Sequence, residues 1–308
     1  MFPTATVVAA IDDTHEAVET LSVARSMLSH EVPSVLHVLH VVEELPSAFE
    51  RYLFPYACFG DDQDALIADV LGASRRSLQA RFSGLGLLDE RFLSVVYGRV
   101  AEASLEKFRV TGPDLVVVGA GSGERSEFGL IGKNASRLIR HSPVPVLMVR
   151  RDGSTRRTSN RMLVGLDLGP DSPGLFSDAI RFAHTHGASL TPVHVVPSSG
   201  GRGRGTLDGS ARKELDRRFQ QVLASLKLPY PVQTVATDLV EKPRLESGDA
   251  GEQLVSAVRE LDAALVILYR CHSSAGSGAR LGRVAEYVLR HAPCDVLVLP
   301  PPIRQEAG

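Results

Sequence analysis

The sequence has little net charge and few cysteines, and both absences exclude classes of protein. Its 34 lysine and arginine residues nearly balance its 36 aspartate and glutamate residues, so no strong field of one sign exists to recruit nucleic acid or an anionic membrane. The three cysteines, Cys58, Cys271 and Cys294, are an odd number and lie far apart. A disulfide framework is therefore not expected, and this cysteine usage suits a reducing compartment.

Long hydrophobic segments are also missing. No window approaches about 18 uninterrupted apolar residues, the length that a membrane-spanning helix needs. The opening stretch MFPTATVVAAID has no basic n-region, no long apolar h-region and no small-residue cleavage site. We therefore expect a cytoplasmic chain with neither a membrane nor a nucleic acid as partner.

An internal repeat predicts the architecture. The segment RLIRHSPVPVLMVR returns as YVLRHAPCDVLVLP, with His141 and His291 lying 150 residues apart. Near the start of each copy, TVVAAIDD matches RMLVGLDL, with Asp12 and Asp167 lying 155 residues apart. The sequence is therefore a duplication.

Domain boundaries follow from the repeat and from composition. The chain of 308 residues exceeds the usual size of one hydrophobic core. We predict domains at 1–151 and 161–303, joined by a polar, turn-forming linker at 152–160. The glycine-rich insert at 198–210 has too little apolar surface to offset the entropy of ordering, and we expect a mobile loop there.

Each copy alternates short apolar runs with stretches of helical period, as parallel βα units do. The predicted strands of the first copy are TVVAAID, SVLHVLHVV, LSVVYG, DLVVVGA and VPVLMV. Those of the second copy are MLVGLD, SLTPVHVV, PVQTVAT, ALVILY and DVLVLP. A helix is expected near 64–82, and Asp13 and Ser172 are expected to cap the helices that follow the first strand of each copy. The predicted fold class is α/β, with two tandem doubly wound, five-stranded parallel sheets.

The glycine-rich stretch GAGSGERSEFGLIGKN, residues 119–134, follows the fourth strand of the first copy. In open parallel sheets, ligands bind beyond the carboxyl ends of the strands where the strand order reverses. This loop and Asp12, at the end of the first strand, both fall at that place. A helix that begins near Gly132 would direct free N–H groups and its positive dipole end toward it.

Two known phosphate motifs do not fit this loop. A Walker loop requires glycine where Glu127 stands, and serine or threonine where Asn134 stands. The dinucleotide fingerprint requires glycine where Glu124 stands, and it belongs after a first strand and not after a fourth. The loop therefore belongs to neither class.

As a set, the motifs resemble the universal stress protein family, in the arrangement with two such domains in one chain. The resemblance is carried by AAID and VGLD at the first strands, HVV in both copies, PDLVVVG before the glycine loop and the doubled RH-[SA]-P ending. It covers nearly all of both halves. It implies a nucleotide α-hydrolase-like fold in each half, a parallel sheet with the strand order 3-2-1-4-5.

ATP-binding members of that family carry G-x-x-G, nine residues, then G-[ST], with a second hydroxyl residue two positions on. On the first copy, Gly119 and Gly132 match two of the glycines. Ser122 stands in place of the other, and Lys133 and Ala135 stand at the two hydroxyl positions. The pattern is therefore present but degenerate.

The resemblance implies a binding site for ATP or another adenine nucleotide in the first domain, with magnesium as a possible companion. The implied site residues are Asp12, Val41, Gly119, Gly121, Ser122, Gly132 and Lys133. Gly121 could supply the backbone freedom that is lost at Ser122. Lys133 could contact phosphate as a point charge or be a solvated lysine at a helix start, and both interpretations stay open.

The second copy departs further from the pattern. Tyr269 and His272 stand where two glycines should leave room, and Gly282 is followed by Arg283. Of the ligand positions only Asp167 and Gly282 survive. We expect this second site to be closed.

Other groups of residues that could form a metal or catalytic site give weaker signals. The pair Cys271-His272 lacks a second pair at zinc spacing, so no metal site is expected. His40 is expected only to flank the pocket. The chain has no G-x-S-x-G elbow, and AIDDTHEA stands where an adenylating or PP-loop enzyme would carry S-G-G-x-D-S. We therefore expect no catalytic residues and no enzyme activity.

The resemblance implies a stress-response protein with a regulatory or sensing role. The alternative is a ligand-free structural or interaction protein in which both nucleotide clefts have decayed, and the lost hydroxyls favour it. The last strands, VLMV and VLVL, are expected to pair edge to edge within the chain as an internal dimer. A homodimer and an unidentified protein partner are further expectations.

Overall fold

The structure, a computed structural model, describes most of both repeats. The described residues are 5–29, 32–43, 63–82, 84, 86, 88–121, 131–150, 159–197, 209–226, 228, 238–270 and 281–301.

The elements of the first repeat alternate between strand and helix. In chain order they are β1 Thr6–Ile11, α1 Ala17–Ser26, β2 Val35–Glu43, α2 Gln63–Phe82, β3 Leu93–Gly98, α3 Val100–Thr111, β4 Leu115–Gly119, α4 Lys133–His141 and β5 Val146–Val149. A 3-10 turn, Glu90–Phe92, directly precedes β3. The helix predicted near 64–82 is confirmed as α2.

The second repeat follows the same plan. Its elements are β6 Arg161–Gly165, α5 Ser172–Thr185, β7 Ser189–Val196, α6 Gly209–Ala224, β8 Arg244–Ser247, α7 Ala250–Leu261, β9 Leu265–Tyr269, α8 Arg283–His291 and β10 Asp295–Leu299.

The strands form one 10-stranded sheet in the order β3-β2-β1-β4-β5-β10-β9-β6-β7-β8. Strands of the same repeat pair in parallel, and each half has the predicted order 3-2-1-4-5. The halves meet where β5 pairs antiparallel with β10, so that Leu147 lies opposite Leu297. The predicted α/β fold is confirmed, and its two sheets are halves of one continuous sheet.

Apolar side chains cover both faces of this sheet. On β1, Val7 and Ala9 belong to a buried cluster on one face, and Val8 belongs to a second cluster on the other face. The central strands β4 (LVVVG) and β10 (DVLVL) are apolar almost throughout. Such runs are typical of strands that helices cover on both sides.

Two arginine residues add polar contacts across the join between the repeats. Arg270 Nη1 donates to the carbonyl oxygens of Ile139 at 3.1 Å and Ser142 at 2.9 Å, at the C-terminal end of α4. The backbone N–H of Arg150 donates to Asp295 Oδ1 at 2.8 Å. A guanidinium group at a helix C-terminus interacts favourably with the helix dipole. The second repeat therefore supplies hydrogen-bond partners both to the C-terminal end of α4 and to the residue that follows β5.

The third strand of the second repeat differs from the sequence prediction. The strand that pairs with β7 is Arg244–Ser247, whereas PVQTVAT was predicted, and that segment, 231–237, lies outside the described residues. In β8 only Leu245 and Ser247 are buried, and the other two side chains are charged. A four-residue strand with one apolar side chain gives too weak an alternation to be recognised from sequence.

Two predicted helix caps are wrong. The helix α1 begins only at Ala17, with Glu16 at the N-cap position, because the chain makes a turn after Asp12 before the helix starts. Asp13 therefore does not cap it. Ser172 is the first residue of α5 and Asp171 holds the N-cap position.

The predicted loop and linker fall largely on segments that the structure does not describe. Of the loop predicted at 198–210, residues 198–208 lie outside the described residues, and α6 begins at Gly209. Of the linker predicted at 152–160, only 159 and 160 are described.

Candidate functional site

A cavity of about 820 Å³ opens at the C-terminal ends of β1, β2 and β4 in the first repeat. In the sheet β1 lies between β2 and β4, which is where the strand order reverses. Helices α1, α2, α3 and α4 all contribute side chains to its wall. This is the position at which open parallel sheets bind their ligands.

The structure brings most of the predicted site residues together at this cavity. Those that line it are Asp12, Val41, Gly119, Gly121, Gly132 and Lys133. Ser122 lies outside the described residues.

Asp12 closes the turn that follows β1. Its Oδ1 accepts hydrogen bonds from the backbone N–H of Thr14 at 3.1 Å and from the Thr14 hydroxyl at 2.5 Å. The side chain is exposed at the cavity, and Oδ2 has no hydrogen-bond partner among the described residues. One oxygen of Asp12 thus serves the turn, and the other is accessible to a ligand.

Two glycines allow the loop after β4 to return close to itself. The N–H of Gly132 donates to the carbonyl oxygen of Ala120 at 2.8 Å. Gly121 has φ of 122°, and a Cβ there would lie 3.1 Å from the Gly132 nitrogen and 3.2 Å from its Cα. A side chain at 121 would therefore press on backbone atoms and strain the chain. This close approach of the backbone is sufficient to explain why glycine occupies positions 121 and 132, without any ligand.

The N-terminus of α4 faces the cavity. Gly132 holds the N-cap position, and the first hydrogen bond within the helix runs from the Ser136 N–H to the Gly132 carbonyl at 2.9 Å. The N–H groups of residues 133–135 therefore have no acceptor within the helix. Together with the helix dipole and the charge of Lys133, they form an arrangement that favours an anion. Ala135 is buried and offers no hydroxyl.

His40 ties the ends of β1 and β2 together beside the cavity. Its Nδ1 lies 3.0 Å from the carbonyl oxygen of Ile11. A carbonyl oxygen can only accept, so Nδ1 carries the hydrogen. His194 makes the same contact with Leu166 at 2.8 Å in the second repeat. The sequence predicted His40 only as a flanking residue, although the doubled HVV motif was a signal of this shared structural contact.

Three further lining residues had no signal in the sequence. Thr20 Oγ1 lies 3.2 Å from the point that a Cβ on Gly119 would occupy, so α1 packs closely against the end of β4. Ser104, on α3, is fully buried, and its hydroxyl has no hydrogen-bond partner in the described part of the chain. Arg150 follows β5, and its guanidinium donates to the carbonyl of Leu289 in the second repeat. Thr20 and Ser104 lie on helices that match no motif, and Arg150 ends the repeated segment RLIRHSPVPVLMVR without any sign there of a role at the cavity.

Two larger side chains lie at the corresponding strand ends of the second repeat. Tyr269 ends β9 as Gly119 ends β4, and its hydroxyl oxygen lies 3.1 Å from where a Cβ on Gly174 would be. Leu254 is buried nearby, and its Cδ1 lies 3.2 Å from where a Cβ on Gly165 would be. Both side chains therefore take up space beside the ends of β6 and β9.

Asp167 is bonded in the second repeat much as Asp12 is in the first. Asp167 Oδ1 accepts hydrogen bonds from the Gly169 N–H at 2.8 Å and from the Ser172 hydroxyl at 2.7 Å. Burial raises the pKa of Tyr269, and the carboxylate of Asp178 raises it further, so its phenol stays protonated and neutral. His272 and Cys271 lie outside the described residues.

Within the described ranges, no group of three or more His, Cys, Asp or Glu side chains is placed to hold a metal ion. Cys294 is buried and forms no disulfide. None of the described helices is both long enough and apolar enough to cross a membrane.

Comparison with known proteins matches both repeats to one family. Residues 4–150 and 158–300 each match the model of the Universal stress protein family. Universal stress protein A of Salmonella typhi is 24% identical over 144 residues, which cover 45% of this chain and 92% of that protein. The Yersinia pestis protein of the same name is 25% identical over 144 residues, covering 45% of this chain and 90% of its own.

Among solved structures, a universal stress protein from Archaeoglobus fulgidus DSM 4304 superimposes with a TM-score of 0.62 and covers 96% of this chain and 98% of its own. Its sequence identity is 16%, so this likeness supports the fold alone.

Proposed function

The chain belongs to the universal stress protein family, and from this premise we propose that it is a stress-response regulatory or sensing protein whose first repeat binds an adenine nucleotide such as ATP. One observation carries the proposal. The cavity of about 820 Å³ lies where the strand order reverses, and its wall combines Asp12, Val41 and Gly119 with the N-terminus of α4. The proposal includes no catalytic step.

The geometry suggests how the parts of a nucleotide would be held. Asp12 and Val41, at the ends of β1 and β2, would lie near the adenosine, as the family resemblance implies. The phosphates would lie at the N-terminus of α4, where the N–H groups of residues 133–135 lack acceptors in the helix. Lys133 would add a point charge on a phosphate oxygen in place of a neutral hydroxyl.

The charge of the cavity wall favours magnesium with the nucleotide. The wall carries the carboxylates of Asp12, Asp13, Glu16, Glu19 and Glu43, and its only lysine and arginine among the described residues are Lys133 and Arg150. A free triphosphate would meet this excess of negative charge. Magnesium on the phosphates reduces the repulsion, so we expect it to strengthen ATP binding.

A second candidate function is that of a ligand-free structural or interaction protein. Two observations favour it: Lys133 and Ala135 stand at the hydroxyl positions of the family pattern, and Tyr269 stands in the second repeat where the pattern has glycine. In that case the join between the repeats, with its β5–β10 pairing, would be the functional feature, and a second copy or another protein would be the partner.

The test is to identify any nucleotide released from the purified protein by mass spectrometry and then to titrate the stripped protein with ATP and magnesium. Gly119→Val should abolish measurable binding, because a Cβ there already lies 3.2 Å from Thr20 Oγ1 and the added methyl groups would enter the cavity. Asp12→Ala should weaken binding about tenfold, or about 1.4 kcal/mol. Asp12→Asn keeps an acceptor for the Thr14 turn and separates loss of charge from loss of the turn.

Gly282→Val is the matched control, because Gly282 holds the N-cap position of α8 in the second repeat. We expect it to leave ATP affinity unchanged. Purified wild type without any nucleotide, together with no binding up to millimolar ATP, would reject the nucleotide proposal in favour of the ligand-free one. A clear loss of affinity in Gly282→Val would instead show that the second repeat holds ligand.

A further inference from the structure

The hydroxyl of Ser104 is a buried polar group without a partner in the wall of the cavity. Ser104 lies on α3, has no exposed surface, and its Oγ makes no hydrogen bond with any described residue. It also lines the cavity of the first repeat. Buried polar groups in native proteins are almost always hydrogen-bonded, so an orphaned hydroxyl at a cavity wall indicates a partner that the protein alone does not supply.

The surroundings of Ser104 are apolar. On the side of the sheet that α3 covers, the cavity is lined by Leu39, Val118 and Leu138, which belong to one hydrophobic cluster, and by Val100, which packs against that cluster. Val41, which ends the same stretch of β2, belongs to this cluster too. A flat, largely apolar group with a few polar edge atoms suits such a wall, and a charged phosphate does not.

The second repeat shows that the fold does not require a hydroxyl at this position. Leu254 lies 150 residues after Ser104 and has the corresponding place on α7. It is buried and packs toward Gly165 on β6. An apolar side chain therefore occupies this place in the second repeat, and a polar one occupies it beside the cavity of the first repeat.

We propose that Ser104 recognises the base of the nucleotide. Its hydroxyl hydrogen-bonds to a polar edge atom of a purine ring that lies against the apolar wall between α3 and β2. A serine hydroxyl can donate to a ring nitrogen or accept from an exocyclic amino group, so it can bond to either kind of atom. This inference rests on the proposed function, and it assigns the base and not the phosphates to this wall.

The test uses adenosine, which carries the base without phosphates, and the variant Ser104→Ala. Alanine suits a helix and removes an unpaired buried hydroxyl, so Ser104→Ala should unfold at the same urea concentration as wild type or at a higher one. Its dissociation constant for adenosine should rise about tenfold, as expected when a buried hydrogen bond to the ligand is lost. Affinity should therefore fall without any loss of stability, which a purely structural serine would not produce.

Ser177→Ala is the matched control. Ser177 lies on α5 in the second repeat, is buried, and its Oγ also lacks a partner in the described part of the chain, but it is not at the cavity. It should gain or keep stability without any change in adenosine affinity. Adenosine binding by Ser104→Ala as tight as that of wild type overturns the assignment, and so does a loss of affinity that comes with a loss of stability. Wild type that binds neither adenosine nor ATP overturns the proposed function itself.

Discussion

Replacing Gly121 with alanine tests how closely the glycine loop is fastened to α4. A Cβ at this position would lie 3.1 Å from the Gly132 nitrogen and 3.2 Å from the Gly132 Cα. Both are backbone atoms, so no flexible side chain can move aside. The loop itself must shift, and the hydrogen bond from the Gly132 N–H to the Ala120 carbonyl must weaken.

Gly112 provides a reference for the magnitude. It has φ of 59° at the end of α3, and no heavy atom lies within 4 Å of the position of its Cβ. Gly112→Ala should therefore cost only the left-handed conformation, about 1–2 kcal/mol. Gly121→Ala should cost about 2–4 kcal/mol, from about 1–3 kcal/mol of backbone strain and about 1 kcal/mol for the weakened hydrogen bond.

Urea unfolding followed by circular dichroism measures both costs, and ATP titration of the same samples measures affinity. Gly121→Ala should lose affinity as well as stability, since it moves the loop relative to the N-terminus of α4, whereas Gly112→Ala should lose stability alone. A cost for Gly121→Ala no larger than that for Gly112→Ala, or unchanged ATP affinity in Gly121→Ala, would refute this reasoning.

Four further substitutions are expected to change the free energy of unfolding, measured in urea. Gly251→Ala should cost about 1–3 kcal/mol, because its Cβ would lie 2.7 Å from the ring of Tyr287. Asp262→Gly should add about 0.5–1 kcal/mol, because Asp262 ends α7 with φ of 49°, and glycine accepts this conformation and leaves no negative charge at the helix C-terminus. Arg270→Gln should cost about 2 kcal/mol through the loss of hydrogen bonds to two carbonyls at the end of α4. Asp178→Asn should stabilise the protein at pH 7 but not below about pH 3, because burial raises the pKa of this carboxyl in the folded state.

The sign of the last effect follows from proton binding. A raised folded-state pKa means that the folded protein holds this proton more tightly than the unfolded chain does, so wild type loses stability as pH rises from the unfolded-state pKa through the folded-state one. Asparagine removes that loss. Equal unfolding free energies for Asp178→Asn and wild type at every pH would contradict it. The other three predictions are contradicted if Gly251→Ala or Arg270→Gln leaves the free energy of unfolding unchanged, or if Asp262→Gly lowers it.

The fold could be predicted from the sequence because the repeated pattern of strands and helices is strong. The runs that became β4 and β10 are apolar almost throughout, as strands covered on both faces must be, and the doubled RH-[SA]-P ending set the two copies in register. Weak local patterns failed. The strand RLES has one apolar residue, and the turn at Asp12 delays the start of α1 in a way that capping preferences do not show.

The site was predictable only where it coincides with strand ends and glycines. Asp12 and Gly119 end neighbouring strands, so sheet topology alone brings them together. Ser104 and Thr20 lie in the interior of helices, where a serine or threonine carries no sign of what it faces. Their contact with the cavity depends on how each helix packs on the sheet, which one sequence does not encode in any short pattern.

The most direct test of the central claim is the stoichiometry of ATP binding to stripped protein in the presence of magnesium, measured by isothermal titration calorimetry. We predict one nucleotide per chain, bound in the first repeat and lost in Gly119→Val. Two nucleotides per chain, or none in wild type at millimolar ATP, would contradict the claim.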